Sequence, residues 1–129
     1  MSSLLPDTQL LVWLSLNSKE LPAAALESMQ DRKNTLFFSL VSIWETSIKF
    51  ALGRSDFLVE PRLLRRGLME FGFRELPIMS EHVIAVSKLP HIHRDPFDRL
   101  LVALAEVEGL TLMTTDKTLS KYGPHVRRF

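Results

Sequence analysis

The strongest constraint on the fold is an alternation of short β-prone runs with longer helical patterns along the whole chain. Apolar or β-branched runs of about five residues are separated by segments that begin at proline, serine or aspartate. Strands are predicted at residues 3–6, 35–39, 73–78, 110–115 and 125–129. Helices are predicted at residues 9–16, 22–32, from Ser39 or Ser42 to about Gly53, 61–71, 80–89 and 96–107. This order predicts an α/β fold in which a short parallel sheet is flanked by helices on both faces, as one domain over residues 1–129.

Composition and charge exclude several classes of protein. The chain has no cysteine, so a disulfide framework and a zinc–thiolate site are both excluded, and a reducing compartment is expected. The formal net charge is only +1, so the chain lacks the overall basic field of many nucleic-acid-binding proteins. The apolar run at residues 10–16 has no basic flank before it. We therefore expect neither a signal peptide nor a membrane span, and a cytoplasmic protein without a membrane partner.

Three aspartates are expected at one edge of the predicted sheet. Asp7 and Asp116 each directly follow a predicted strand, and the carboxyl ends of parallel strands share an edge. Asp98 lies in the first turn of the helix that leads into the strand before Asp116, so it starts at the same edge. Clustered carboxylates repel one another, so this arrangement indicates a bound cation, and oxygen ligands suit Mg²⁺ or Mn²⁺.

Each of these acids also has a purely structural interpretation. In the segment HIHRDPFDRLL, Asp95 precedes a proline and is expected to cap the helix that follows. Asp7 and Asp116 could cap the next elements in the same way. Asp98 would then do no more than favour the positive end of its helix.

Two pairs of residues are ambiguous from their spacing. Glu45 and Lys49 are four residues apart on a predicted helix, which by itself favours a surface ion pair. His91 and His93 alternate as metal ligands do in an extended segment. A loop histidine beside an aspartate cluster is nevertheless expected to be structural rather than a ligand.

Four blocks of the sequence, in order and at familiar spacing, resemble PIN-domain proteins, in particular the VapC-like toxins of bacterial toxin–antitoxin pairs. The blocks read LLPDTQLLVW, SLVSIWETSIKFALGR, LPHIHRDPFDRLLVALAEVEGLTLMTTD and the closing YGPHV. Together they run over nearly the whole chain, and the third block is the most specific. Two positions depart from the pattern: Pro6 precedes the first aspartate, and Gln9 stands where histidine is expected.

The resemblance implies a metal-dependent endoribonuclease that uses Mg²⁺ or Mn²⁺. Its acidic site corresponds to Asp7, Glu45, Asp98 and Asp116, which replaces the surface-pair interpretation of Glu45. Thr114 corresponds to a hydroxyl that helps to order the acids. Attack of water on the phosphodiester would leave 5′-phosphate and 3′-hydroxyl ends.

The resemblance also implies a set of partners. RNA would be held by basic residues near the site, for which Lys49 and Arg94 are the candidates. More distant arginines are weaker candidates, since each could equally be solvated surface charge: Arg62, Arg65, Arg66, Arg127 and Arg128. A small cognate antitoxin protein and a homodimer are expected, with operator DNA contacted only through the antitoxin.

Two other classes of protein stay open at this stage. The first is a non-catalytic PIN-fold interaction module that acts with an antitoxin on operator DNA, although such a module has no reason to keep four acids. The second is a phosphate-accepting receiver domain. A receiver needs paired acids near its first strand, and Asp7 has no acidic neighbour.

Overall fold

The computed structural model describes residues 1–53 and 59–129, in which a sheet of short strands is connected by helices. The strands are β1 (Ser3–Pro6), β2 (Thr35–Ser39), β3 (Arg74–Leu76), β4 (Thr111–Thr114) and β5 (Val126–Arg128). The α helices are α1 (Thr8–Ser15), α2 (Ala23–Gln30), α3 (Leu40–Ala51), α4 (Pro61–Phe71), α5 (Ser80–Ala85) and α6 (Pro96–Glu108). Two 3₁₀ turns span Val86–Lys88 and Leu119–Tyr122. Arg54, the last residue of the second sequence block, lies outside the described residues.

The predicted strands and helices all form; α5 shows the largest difference from its predicted bounds, and β3 is half its predicted length. The strand predicted at residues 73–78 is reduced to Arg74–Leu76, because Pro77 has no N–H to donate to a neighbouring strand. The helix predicted at residues 80–89 ends at Ala85. Beyond it the backbone tightens, and the N–H of Leu89 donates to the carbonyl of Val86 at 3.1 Å in a 3₁₀ hydrogen bond.

All the strands in the described residues pair in parallel, in the order β3-β2-β1-β4-β5. The strand β1 lies at the centre, where Leu4 is in register with Leu36 of β2 on one side and with Thr111 of β4 on the other. The backbone N–H of Asp7 extends this pairing by donating to the carbonyl of Met113 at 2.9 Å. The ends of β1 and β4 are therefore held side by side.

Alternating side chains of the strands build a separate apolar cluster on each face of the sheet. Leu4 and Met113 belong to the cluster that includes buried residues of α1, α2 and α4. Their chain neighbours Leu5 and Leu112 belong to the other cluster, which is filled mainly by α6. A period of two residues along each strand produces this division. The prediction of a parallel sheet with helices on both faces is confirmed.

The start of α6 is fixed by the cap that its sequence predicts. Asp95 is the N-cap, and its Oδ1 accepts the backbone N–H of Phe97 at 2.8 Å and that of Asp98 at 3.4 Å. Pro96 occupies the first helical position, where no N–H is needed. Gly109 ends the helix with a φ of 69°, a left-handed conformation that glycine adopts without strain. These signals place Asp98 in the first turn.

The start of α3 distinguishes between the two serines that could cap it. Ser39 is the N-cap, and its hydroxyl oxygen accepts the backbone N–H of Val41 at 2.9 Å. Ser42 instead lies inside the helix, fully buried, and accepts a hydrogen bond from the hydroxyl of Thr8 at 3.0 Å. This buried contact joins α3 to α1 beneath the ends of β1 and β2.

The helices in the described part of the chain are short. The longest, α6, has 13 residues. None of the described helices is long and apolar enough to cross a membrane. The assignment of residues 1–129 to one domain stays a prediction.

The packing of α6 predicts a large penalty for shortening Leu101, which is fully buried between the helix and the sheet. Leu101→Ala should lower the free energy of unfolding by about 2–5 kcal/mol through lost burial and the cavity left behind. Val107→Ala, on the exposed side of the same helix, is the control and should change it by less than about 0.5 kcal/mol. Urea denaturation measures both, and equal losses would contradict this description of the core.

Candidate functional site

Acidic side chains from four parts of the fold meet in a cleft at the carboxyl edge of the sheet. Asp7 follows β1, Glu45 lies in α3, Asp98 lies in α6, and Asp116 follows β4. The cleft has a volume of about 250 Å³. It is lined by Asp7, Thr8, Gln9, Glu45, Lys49, Asp95, Asp98, Thr115 and Asp116. The structure thus brings all four acids of the predicted site together.

Asp7 both caps a helix and faces the other acids. Its Oδ1 accepts the backbone N–H of Leu10 at 3.0 Å, and its Oδ2 accepts the hydroxyl of Thr114 at 2.6 Å. Burial raises the pKa of Asp7 to about 6, and the charges of Glu45 and Asp116 add to the rise, while the hydrogen bonds from Thr114 and Leu10 oppose it. The capping and site interpretations of Asp7 are therefore compatible. Thr114 holds the orientation of its carboxylate.

Glu45 forms the ion pair that its spacing predicts, but the pair is not on the surface. The Nζ of Lys49 lies 2.7 Å from Glu45 Oε2, whereas the glutamate itself is only 4% exposed. The surface pair that the spacing alone favoured is therefore wrong for Glu45, which is buried as a residue of the acidic cleft. The second oxygen, Oε1, is buried and has no hydrogen-bond partner among the described residues. An unsatisfied buried carboxylate oxygen is costly unless a donor or a cation reaches it.

Asp98 is the acid whose charge is least compensated. Burial is the main cause, and the nearby charges of Asp95, Asp7, Glu45 and Asp116 contribute in that order; together they raise the pKa of Asp98 to about 8. A carboxyl group with this pKa carries a proton at neutral pH when no cation is bound.

Asp116 shows the opposite behaviour in the same cleft. Partial burial alone would raise its pKa, but a hydrogen bond with His93 and hydrogen bonds from the backbone N–H groups of Thr118 and Leu119 outweigh that effect, and the pKa of Asp116 is lowered. Its Oδ1 accepts Thr118 N–H at 2.7 Å and Leu119 N–H at 3.4 Å. The N–H of Asp116 donates to the Thr114 hydroxyl at 3.0 Å, so the same threonine orders two of the acids.

His93 is brought to the acids by a loop, beside the aspartate cluster as expected from the sequence, but its individual contacts were not predicted. Its Nε2 lies 2.9 Å from Asp116 Oδ2 and 3.7 Å from Asp98 Oδ2. These three residues form a group whose potential ligand atoms all lie within 4.8 Å of one another. His91 is exposed and does not line the cleft. The sequence signals for His93 are its alternation with His91 and its position two residues before the helix cap Asp95.

The predicted RNA-binding residues differ in their placement. Lys49 lines the cleft, whereas Arg94 is exposed and does not line it. Of the more distant candidates, Arg65 pairs with Glu75 at 2.6 Å and Arg127 lies 4.8 Å from the ring centroid of Phe129. The other three distant arginines are exposed: Arg62, Arg66 and Arg128.

The donor set in the cleft fits a hard divalent cation. Carboxylate oxygens are the ligands preferred by Mg²⁺ and Mn²⁺, and the chain has no cysteine to favour a softer metal. The buried Oε1 of Glu45 lacks a partner among the described residues, and the proton that Asp98 holds is one that a cation would displace. Four acids line the cleft and could hold such an ion directly or through water: Asp7, Glu45, Asp98 and Asp116.

Comparisons with known proteins agree with this fold. The family model described as PIN domain matches residues 4–123. No curated protein matches the sequence significantly. A chain in the crystal structure of VapBC2 from Rickettsia felis bound to a DNA fragment from their promoter is similar, with a TM-score of 0.71, 15% identity and coverage of 98% of both chains. A chain of a toxin–antitoxin complex from Klebsiella pneumoniae has a TM-score of 0.64, with 20% identity over 95% of this chain and 94% of that chain.

The raised pKa of Asp98 predicts how the stability of the metal-free protein depends on pH. The folded protein keeps a proton on Asp98 up to about pH 8, whereas an ordinary aspartate, with a pKa of 3.8, loses it much earlier. The free energy of unfolding should therefore fall as the pH rises through this window, because only the folded state still binds the proton. Asp98→Asn removes this loss. In EDTA the variant should melt several degrees above the wild type near pH 8 and close to it near pH 4.

The control for this experiment is Glu106→Gln, which neutralises an exposed carboxylate on the same helix. It should leave the pH dependence of the melting temperature unchanged. If Asp98→Asn and Glu106→Gln follow the same curve as the wild type, Asp98 does not carry the raised pKa.

Proposed function

Because the chain belongs to the PIN-domain family, we propose that it is a metal-dependent endoribonuclease that acts in the bacterial cytoplasm as the toxin of a toxin–antitoxin pair. The observation that carries the proposal is the convergence of Asp7, Glu45, Asp98 and Asp116 in one cleft. Members of this family are generally nucleases, and hydrolysis of a phosphodiester by carboxylate-bound divalent ions is the chemistry that such a cluster suits.

The proposed cofactor is Mg²⁺ or Mn²⁺, held by these four acids. When bound, such an ion lowers the pKa of water and neutralises charge on the phosphate. Thr114 keeps the carboxylate of Asp7 turned into the cleft by its 2.6 Å hydrogen bond. Lys49, beside Glu45 at the rim, supplies positive charge towards which an RNA phosphate can be drawn.

The reaction we propose is direct hydrolysis. A water oxygen bonds to the phosphorus, the bond from phosphorus to the 3′ oxygen breaks, and a proton goes to that oxygen. The products are a 5′-phosphate and a 3′-hydroxyl end, and the 2′-hydroxyl of the RNA takes no part. The cleft contains no cysteine or serine among its lining residues, and this scheme needs no nucleophilic side chain.

The second candidate function is a non-catalytic module that acts with an antitoxin on operator DNA. The Rickettsia felis complex is bound to promoter DNA, which favours a DNA-linked role for proteins of this fold. A module that only binds partners gains nothing from buried carboxylates whose pKa values are raised by burial and by one another. The nuclease proposal accounts for those carboxylates, and operator binding through the antitoxin can coexist with it.

A groove between α1, α2 and α4 is the proposed docking surface for the antitoxin. It has a volume of about 430 Å³ and is lined by Leu14, Ser15, Asn17, Leu26, Gln30, Leu63, Gly67, Leu68 and Phe71. Leu63 and Phe71, about two turns apart on α4, are 54% and 40% exposed, which is high for large apolar side chains. An amphipathic helix with apolar residues on one face fits such a groove. The two similar solved structures are both complexes: one contains VapBC2 with promoter DNA, and the other is a toxin–antitoxin complex.

The nuclease proposal predicts different effects on catalysis for substitutions of the two aspartates at the start of α6. Purified protein should cleave RNA with Mg²⁺ or Mn²⁺, stop in EDTA, and leave 5′-phosphate ends in end-group analysis. Asp98→Asn removes a proposed ligand and should lower the cleavage rate about a hundredfold or more. Asp95→Asn keeps a good helix cap, so it should change stability by only about a few tenths of a kcal/mol and leave cleavage largely intact.

Two results would contradict the nuclease proposal. One is cleavage that survives EDTA or yields cyclic phosphate ends. The other is an Asp98→Asn variant that cleaves as fast as the wild type, while its melting curve shows that it is folded.

The proposed docking of the antitoxin in the groove can be tested by substitutions of Gly67, which lies inside α4. A Cβ built at this position meets no atom within 4 Å. Gly67→Ala and Gly67→Met should both stabilise the helix by about 0.5–1 kcal/mol, because glycine is a poor helix former. Only the longer methionine side chain should fill the groove, so it should weaken antitoxin binding about tenfold or more, while alanine retains it.

To measure antitoxin binding, each variant is co-expressed with the product of a neighbouring small gene. Size-exclusion chromatography then detects the complex, and calorimetry gives its affinity. A methionine variant that is more stable yet binds poorly cannot be explained by misfolding. Normal binding by Gly67→Met would place the antitoxin elsewhere. Sizing of the wild type also tests the proposed homodimer.

A further inference from the structure

His93 contacts the acidic cleft from outside the four elements that supply the acids. Its Nε2 is 2.9 Å from Asp116 Oδ2, and its Nδ1 is 3.1 Å from the backbone nitrogen of Asp95. Distance alone makes it a candidate metal ligand, since it forms a group with Asp98 and Asp116 whose donor atoms lie within 4.8 Å of one another. The hydrogen bonds of the ring decide between ligation and another role.

The two ring contacts fix which nitrogen carries the proton. The backbone N–H of Asp95 can only donate, so Nδ1 must accept and its lone pair is occupied. In the neutral ring the proton is then on Nε2, which donates it to Asp116 Oδ2. A nitrogen that carries a proton has no lone pair for a metal. At 3.7 Å, Asp98 Oδ2 is beyond hydrogen-bond distance from the same nitrogen.

The loop that carries His93 is held in place by hydrogen bonds to Tyr122 and Arg99. The backbone N–H of His93 donates to the hydroxyl of Tyr122 at 2.9 Å. Arg99 donates from Nη1 to that hydroxyl at 3.0 Å and to the carbonyl of Pro90 at 2.9 Å, and from Nη2 to the carbonyl of Val86 at 3.3 Å. The imidazole is therefore held in place by its backbone as well as by its own ring.

We infer that His93 is a positioning residue, which holds the carboxylate of Asp116 by an Nε2–H hydrogen bond, and that it is not a metal ligand. With Oδ1 held by Thr118 and Leu119 and one side of Oδ2 held by His93, Asp116 has a single orientation before any cation arrives. Partners of this kind around a metal-binding carboxylate preorganise it. The inference rests on the proposed function for the existence of the bound ion.

A matched pair of variants separates the two contacts of the ring. In His93→Gln the side-chain amide nitrogen lies near the place of Nε2, so the donor to Asp116 is kept and the acceptor for Asp95 is lost. In His93→Asn the side-chain oxygen lies near the place of Nδ1, so the acceptor is kept and the donor to Asp116 is lost. Mg²⁺ and Mn²⁺ affinity, measured by calorimetry without RNA, should fall about 10–100-fold for Asn and be largely restored for Gln.

A spectroscopic measurement on the wild type detects the protonated nitrogen directly, and a variant is needed only to assign the signal. Nitrogen-15 spectra of labelled histidine, with His93→Gln used for assignment, should show the tautomer protonated at Nε2 both in EDTA and in saturating Mg²⁺. Loss of the Nε2 proton on addition of Mg²⁺ would show that His93 is a ligand and overturn the inference. The inference would also be overturned if His93→Asn bound the ions as tightly as His93→Gln or more tightly. That result is expected if the ring acts only on its own loop, through the acceptor at Nδ1.

The experiments also keep this inference apart from the nuclease proposal. If the wild type binds Mg²⁺, with Gln better than Asn, yet cleaves no RNA, the role of His93 stands and the proposed activity fails. If cleavage is metal-dependent and both variants bind and cleave as the wild type does, the activity stands and the role of His93 fails. If the wild type binds neither ion, the positioning role is overturned together with the metal site.

Discussion

Electrostatic repulsion between carboxylates held in a largely desolvated cleft is the constraint on which the other features of the site depend. Each acid meets it differently. Asp7 receives a hydroxyl and a backbone N–H, Glu45 receives the ammonium of Lys49 on one oxygen, and Asp116 receives an imidazole and two backbone N–H groups. For Asp98, burial first and then repulsion from the other acids raise the pKa to about 8, the highest of the shifted pKa values among these carboxyl groups. A site arranged in this way is least stable when it is fully ionised and empty.

The topology explains why much of this site can be predicted from the sequence. Asp7 and Asp116 follow apolar runs short enough to be strands, and Asp98 lies in the first turn of the helix that leads into β4. Parallel pairing is therefore sufficient to bring the three together. Glu45 is different. Its spacing from Lys49 is the same in a buried pair and in a surface pair, and only the packing of α3 decides between them, so the resemblance to a family was needed to identify it.

The resemblance assigned a supporting role to Thr114, but the contacts of His93 and Arg99 could not be predicted, because they have no local pattern. His93 is 23 residues from Asp116 and its backbone is 29 residues from Tyr122, and Arg99 reaches Tyr122 across 23 residues. No helical or strand periodicity relates positions so far apart, and in the sequence Arg99 is simply a charge on the polar side of α6. The shortening of β3 by Pro77 is, by contrast, a local effect that the absence of an N–H explains.

The central position of β1 has a consequence for when the cleft can exist. Asp7 is synthesised well before the residue whose hydroxyl orients it, because Thr114 lies 107 positions later in the chain. Closing so long a loop is entropically unfavourable until the intervening strands and helices have packed. A growing chain on the ribosome therefore carries Asp7 and Glu45 without a complete acidic cluster until Thr114 and Asp116 have been synthesised. Because of this order of residues along the chain, the cleft can assemble only after β4 has joined the sheet beside β1.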